Sequence, residues 1–300
     1  MEGKFEQQNP TTPPIFKINE QQEWFIENSY LLMKPTVENL DFATIVTENN
    51  PSNLSVKIKK PDFAWNSGVR LILGRYLPHH DHWDIAAGMT YFYGDVSQTV
   101  RAKSSQSKGI TPTYGTVDNA IQHLKAHWDL NYFSWDLSLG REVAMTKSVV
   151  FHPFITLRAL LTYQDYQLRN PAMNYKSENS YWGIGPRLGS HLSYYLKSQW
   201  SILGELSTAV VYGPYENQIT ELSRKTKDSV TWLRGNLEGF IGLGWEAWVR
   251  NQTVRIFPQV LFEGTLWWDM NRYLEPTSQF SNAHGALVLM GVSFNLQIDF

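Results

Sequence analysis

The chain has 300 residues, of which 42% are apolar, 14% aromatic and only 18% charged, and its formal net charge is -2. The longest unbroken apolar run, Ala286 to Met290, falls far short of the roughly 18–20 residues a membrane-spanning helix needs. Near-neutral charge gives nucleic acid no electrostatic footing, and the absence of cysteine excludes thiol catalysis, disulfides and cysteine-ligated zinc.

The first 21 residues carry Pro10, Pro13 and Pro14 among polar residues and read as a flexible N-terminal extension. Met1-Glu2-Gly3-Lys4 is not followed by the apolar stretch of a signal peptide. From residue 22 onward the hydrophobicity has period two. The segments are 22–34, 62–76, 82–95, 121–142, 149–168, 180–196, 200–213, 231–249, 253–270 and 283–300, with two shorter stretches at 40–47 and 54–60. In 253–270, for example, Val254, Ile256, Val260, Phe262, Leu266 and Trp268 alternate with Arg255, Gln259, Glu263, Thr265 and Asp269. Such lengths exceed the strands of soluble sheets, which run to about 5–6 residues.

Period-two strands of this length, low charge and distributed apolarity (mean hydropathy -0.34) predict an all-β fold. It is a transmembrane antiparallel up-and-down β-barrel of about twelve strands over 22–300, with ten possible if 40–47 and 54–60 form a hairpin outside the wall. In 121–142 the apolar parity switches near Phe133 and Ser134, and a β-bulge is expected there. Short connections at 77–81, 144–147, 196–199 and 250–252 alternate with longer polar ones at 97–119, 169–179, 214–227 and 271–282. Outer-membrane barrels place short turns on the periplasmic side and long loops outside.

Aromatics near strand ends on the apolar face predict two interfacial girdles. They are Trp83, Tyr91, Trp128, Trp182, Trp200, Trp245 and Trp268, with Tyr93, Tyr132, Tyr163, Tyr194 and Tyr212. The opposite parity lines the lumen, and its expected members are Arg70, Asp136, Arg158, Arg187, Glu205, Arg234, Glu238 and Glu263. Asp84, Asp129, Glu246, Arg255 and Asp269 share that parity. A basic wall of Arg70, Arg158 and Arg187 facing an acidic wall of Glu205, Glu238 and Glu263 is one expectation; salt bridges that fill the lumen, with Asp136 beside Arg158, are the other.

Three further motifs carry little. His79-His80-Asp81-His82-Trp83-Asp84 has metal-ligand chemistry, but adjacent residues of an extended chain point apart, so no metal site is expected. Gly183-Ile184-Gly185-Pro186-Arg187-Leu188-Gly189 lacks the spacing and the following helix of a phosphate loop. His127, Asp129 and His152 are the only candidates for a barrel hydrolase, and no enzyme is expected.

The strings LPHHDHWDIAAGMTYFYG, NYFSWDLSLGREVAMTKSVVFHPFITLRALLTYQDY and YWGIGPRLGSHLSYYL resemble the legionella-type pore-forming outer-membrane proteins. That family is related to the major outer-membrane proteins of chlamydia-like bacteria. The ending SFNLQIDF is similar to a C-terminal barrel-assembly signal closing on Phe300. The resemblance implies a porin in the bacterial outer membrane that passes ions and small hydrophilic solutes without a cofactor. It also implies contact with outer-membrane lipid and lipopolysaccharide, folding by the barrel-assembly machinery, and a homo-oligomer as one option. Two other readings are kept: a structural or adhesive barrel with little conductance, and a soluble β-sandwich.

Overall fold

The computed structural model describes residues 23–50, 53–77, 82–102, 107–114, 121–196, 199–221, 224–249, 253–274 and 282–300. The predicted N-terminal extension lies outside them, as do His79, His80 and Asp81. The elements are β1 (Trp24–Val37), β2 (Ala43–Asn50), β3 (Asn53–Lys59), β4 (Asn66–Tyr76), β5 (Trp83–Arg101), β6 (Ser107–Pro112) and β7 (His123–Arg141). They continue with β8 (Val143–Ala144), β9 (Val149–Asn170), β10 (Met173–Tyr195), β11 (Trp200–Glu221) and β12 (Arg224–Trp245). The last are β13 (Ala247–Val249), β14 (Val254–Leu274) and β15 (Asn282–Asp299).

Ten strands close a ring in the order β1-β4-β5-β7-β9-β10-β11-β12-β14-β15, every neighbour antiparallel. β15 returns to β1 from Phe25↔Asp299 up to Val37↔Leu287. β8 and β13 are short returns that pair with β9 and β14 at the short-turn end. The count is therefore ten and not twelve. β2 and β3 have 8 and 7 residues, too few to cross a bilayer, which takes about 9–11. They join β6 in a separate three-stranded sheet, β3-β2-β6, while β1 pairs directly with β4.

The wall has two storeys of opposite polarity. In the lower storey, next to the short turns, outward side chains are apolar and exposed: Ile85 and Met89 on β5, Leu137 and Leu139 on β7, Ile155 and Leu157 on β9, Ile202 and Leu206 on β11. Above a row of tyrosines and tryptophans the outward positions turn polar. On β9 they run Tyr163, Asp165, Gln167, Arg169; on β11, Tyr212, Pro214, Glu216, Gln218. The inward positions change in the opposite sense, from charged below to Leu160, Tyr166, Leu168, Tyr215 and Ile219 above, all buried in one cluster. The belt from Phe151 to Tyr163 is as long as a tilted strand needs to span the hydrocarbon core. β9 then continues to Asn170, and at about 3.3 Å per residue the barrel stands roughly 20 Å above the belt.

This inversion corrects two expectations. The parity switch at Phe133 and Ser134 is not a bulge, because β7 keeps continuous register with both neighbours through these residues. Phe133 and Trp135 face lipid, whereas Tyr132, Leu130 and Trp128 face the upper interior; the same strand passes from membrane to water and its apolar side changes from out to in. The polar stretches 169–179 and 214–227 are likewise mostly strand. Asn170 and Met173 pair across a tight turn, and β11 and β12 pair as far as Glu221↔Arg224. The bulge lies instead in β14, between Trp267 and Asn271, where Asp269 has φ 51°. It turns Asp269 outward and Met270 inward, the reverse of their predicted faces.

Asp129 is also outward, not in the lumen. It lies in a row with Asp95 and Asp165 on the neighbouring strands, above the apolar belt. Partial burial, then the Asp165 charge, raise its carboxyl above the ordinary value. A raised native value means that stability is gained as pH falls through it. Asp129→Asn should therefore stabilise the barrel at pH 7 by about 0.2–1 kcal/mol, an advantage that vanishes in acid where the wild-type carboxyl is already neutral. Urea unfolding at the two pH values measures this. Trp128→Ala, which empties part of the upper interior, should cost about 3–5 kcal/mol in the same assay.

Candidate functional site

The lower storey holds a charged lumen. Inward parity brings Arg70 on β4, Asp136 on β7, Arg158 on β9, Arg187 on β10, Glu205 on β11, Glu238 on β12 and Glu263 on β14 to the lining of one cavity of about 290 Å³. Arg158 donates to Asp136 at 2.7 Å through two nitrogens, a bidentate pair between directly opposed residues, and also to Glu238. Arg187 lies 2.7 Å from Glu205 and 3.1 Å from Glu238. Arg70 lies 3.1 Å from Glu263. Glu238 thus receives two guanidinium groups from the far side of β11.

Arg158 and Arg187 stand on adjacent strands, beside Glu205, Glu238 and Glu263 on the next three. The two groups are in direct contact and do not face each other as basic and acidic walls across an open lumen, since each arginine sits against a carboxylate. The reason is desolvation: Arg158 is 4% exposed, and a buried charge is tolerated only when paired and hydrogen-bonded. Local sequence makes the room. Gly189 stands where a Cβ would meet the Phe154 ring at 2.5 Å, and Arg187 lies over that ring at 4.9 Å.

Nearer the short turns, His152 is 2.6 Å from Asp84, and Arg255 joins Asp299 at 2.8 Å and Glu246 at 3.4 Å. The His152–Asp84 pair orients an imidazole, but its described contacts include no serine, threonine or tyrosine hydroxyl to activate. His127 and Asp129 are 3.5 Å apart on the outer surface, far from the cavity. Among the described residues no cluster of three or more metal-ligating side chains forms.

Above the cavity the lumen is stoppered. Leu31, Phe92, Tyr132, Leu160, Tyr181 and Trp267 from the wall belong to one buried cluster with Leu40, Phe42, Ile110, Tyr114 and Ile121 from the β1–β4 and β5–β7 connections. Trp128 is fully buried there and donates to Gln164 at 3.3 Å. It and Tyr132 are interior groups, not girdle members, because their parity faces the core above the belt. Arg234 is inward but two inward positions above Glu238 on β12, over Trp232 at 4.6 Å and Tyr215 at 5.3 Å. The remaining predicted aromatics face outward. Trp83, Trp200 and Trp245 sit at the short-turn rim, Trp200 and Trp245 directly opposite each other; Tyr91, Trp182 and Trp268 lie toward the other edge of the belt. Phe300 is exposed at the rim, where its backbone closes onto Trp24 at 2.8 and 3.0 Å.

Glu27 on β1 was missed. It lines the cavity and shares the inward parity of Phe25, Ser29 and Leu31, a pattern the sequence contains.

A family model described as the Legionella pneumophila major outer membrane protein precursor matches residues 17–300. No curated protein sequence matches. Similar solved structures include the outer membrane protease OmpT from Escherichia coli, at 9% identity over 93% of this chain and 97% of that one, with a TM-score of 0.49. Others are a major outer membrane protein from Thermus thermophilus (8% identity, 91% and 99% covered, TM-score 0.38) and the transport unit of the autotransporter AIDA-I from Escherichia coli (8%, 95% and 92%, TM-score 0.30). At these identities the likeness is one of fold alone.

Removing Arg158 alone should be more damaging than removing it together with both of its carboxylate partners. Arg158→Gln leaves Asp136 and Glu238 facing each other and is expected to cost about 3–5 kcal/mol. The triple change Asp136→Asn, Arg158→Gln, Glu238→Gln should recover much of that. Urea midpoints of the refolded variants measure both.

Proposed function

Because the chain belongs to the Legionella pneumophila major outer membrane protein family, a family of outer-membrane barrels, we propose that it is a narrow channel for ions and small hydrophilic solutes. Its low conductance follows from the stopper that closes the outer half of the lumen. The observation that carries this reading is the cavity of about 290 Å³ that ten strands leave at membrane level, lined by the ion-pair band together with apolar and aromatic side chains. A barrel serving only as a wall would gain by packing that volume. Steric sieving and the field of the ion-pair band would set what enters.

The band holds three arginines (Arg70, Arg158, Arg187) against five carboxylates (Glu27, Asp136, Glu205, Glu238, Glu263). A cation preference follows from that formal excess.

A second reading is favoured by one specific observation. The stopper contains wall side chains such as Trp128, Tyr181 and Trp267, so lifting the β3-β2-β6 sheet alone would not empty the lumen. In this reading the barrel is structural and its raised outer storey presents a surface, with no traffic through it.

Planar-bilayer recording of the refolded protein under a salt gradient separates the two. Small discrete steps with a cation-selective reversal potential, enlarged severalfold in a Trp128→Ala, Tyr181→Ala variant, are expected of the channel. A folded, heat-modifiable protein that stays silent, and whose double variant stays silent too, would establish the structural barrel.

A further inference from the structure

Above the aromatic edge of the belt, the outward face of β5, β7, β9 and β10 is sorted by charge into rungs. The lowest is acidic: Asp95, Asp129, Asp165 and Glu178 stand directly opposite one another on the four strands. Four residues further along each strand the rung reads Thr99, Lys125, Arg169 and Asn174, again directly opposed and all exposed. It contains two cations and no carboxylate. Lys176, on the rung between, is held by Asp165 at 3.1 Å and by Glu178. Neither Lys125 nor Arg169 has an ion-pair partner among the described residues. Arg101 stands exposed one rung higher, on the Lys125 side. Like charges directly opposite each other on a sheet destabilise it, so this pair is complementary to an anion and not to its own wall.

We propose that this rung binds an oxyanion on the core saccharide of lipopolysaccharide in the outer leaflet. Height selects the occupant. Arg169 lies six residues beyond Tyr163 on β9, roughly 20 Å along the strand at about 3.3 Å per residue. Strand tilt reduces this to about 15 Å above the belt. The polar headgroup layer of a bilayer is only about 5–8 Å deep on each side. A glycerophospholipid phosphate therefore ends at the acidic rung, where four carboxylates repel it, and does not reach the cations. A lipid-linked saccharide does. Its phosphate or acidic-sugar carboxylate takes two parallel N–H donors from the Arg169 guanidinium and one from the Lys125 ammonium. The Thr99 hydroxyl and Asn174 amide at the ends of the rung suit sugar hydroxyls. The inference rests on the outer-membrane family of the chain and not on conduction through its lumen.

Native mass spectrometry of the refolded protein in detergent tests this, by titration with rough-type lipopolysaccharide (lipid A plus a phosphorylated core) and with lipid A alone. The core-bearing lipid is expected to bind at least about ten-fold more tightly, the size expected for two cations facing an anionic lipid. Lys125→Gln combined with Arg169→Gln should remove that advantage. Both side chains are exposed, so the fold is kept, and a urea midpoint no lower than that of the wild type verifies it. Lys225→Gln combined with Lys227→Gln makes the same charge change on β12 and should leave the affinity unchanged. Equal binding of the two lipids, no effect of the first double variant, or an equal loss in the β12 variant would each overturn the proposal. Displacement of the lipopolysaccharide by inorganic phosphate would make this a free-anion site and overturn it as well. No current is measured, so this proposal and the channel reading can each fail while the other stands.

Discussion

Closure of the backbone hydrogen-bond ladder is the constraint on which the molecule depends. In hydrocarbon no water satisfies an open strand edge, so a sheet can span only as a ring. The seam is β1 against β15, continuous over thirteen register pairs from Phe25↔Asp299 to Val37↔Leu287. It joins the first described strand to the last. The chain end takes part, since Phe300 and Trp24 exchange backbone hydrogen bonds at the rim. Every inward or outward assignment follows from that ring, because closure fixes the register and register fixes parity.

A ring of ten strands has a narrow lumen, and the solvent outside the wall determines what fills it. Where the outer face meets lipid, apolar side chains go outward and the interior is left to polar groups. Where the strands rise into water, the outer face becomes polar and the interior is packed as a soluble core would be. Trp128 and Trp135 show this on one strand: the same residue type, one fully buried in the core and one exposed on the belt. The stopper is thus a consequence of strand length. Strands of 19–23 residues extend beyond the bilayer, and their upper interior must bury something.

The membrane-level interior is governed by charge desolvation. Arginines at this level cost free energy unless paired, so each is met by a carboxylate from another strand, and Glu238 bridges two of them. Pairing at contact distance neutralises each arginine locally, yet carboxylates remain in excess. The resulting lumen is locally neutralised, and its surplus of two carboxylates is shared, one in the β7–β12 cluster and one beside Arg70 with Glu27 and Glu263.

Much of the fold is legible in the sequence, because the two-residue alternation directly records which medium each face meets. The long strands, their antiparallel meander, the lipid-facing belt and the inward set from Arg70 to Glu263 all follow from that parity. The sequence alone left three matters open or misleading. The strand number depended on whether 40–47 and 54–60 enter the ring, which pairing partners decide. The parity switch in 121–142 is the same string whether a bulge flips the chain or the surrounding medium changes, and only continuous register distinguishes them. The grouping of Asp136, Arg158, Glu238, Arg187 and Glu205 joins β7 with the four consecutive wall strands β9 to β12, from residues far apart in the chain. Period two determines the face of a residue but carries no information about its height or its neighbours across a closed lumen; closure and stagger of the ring decide both.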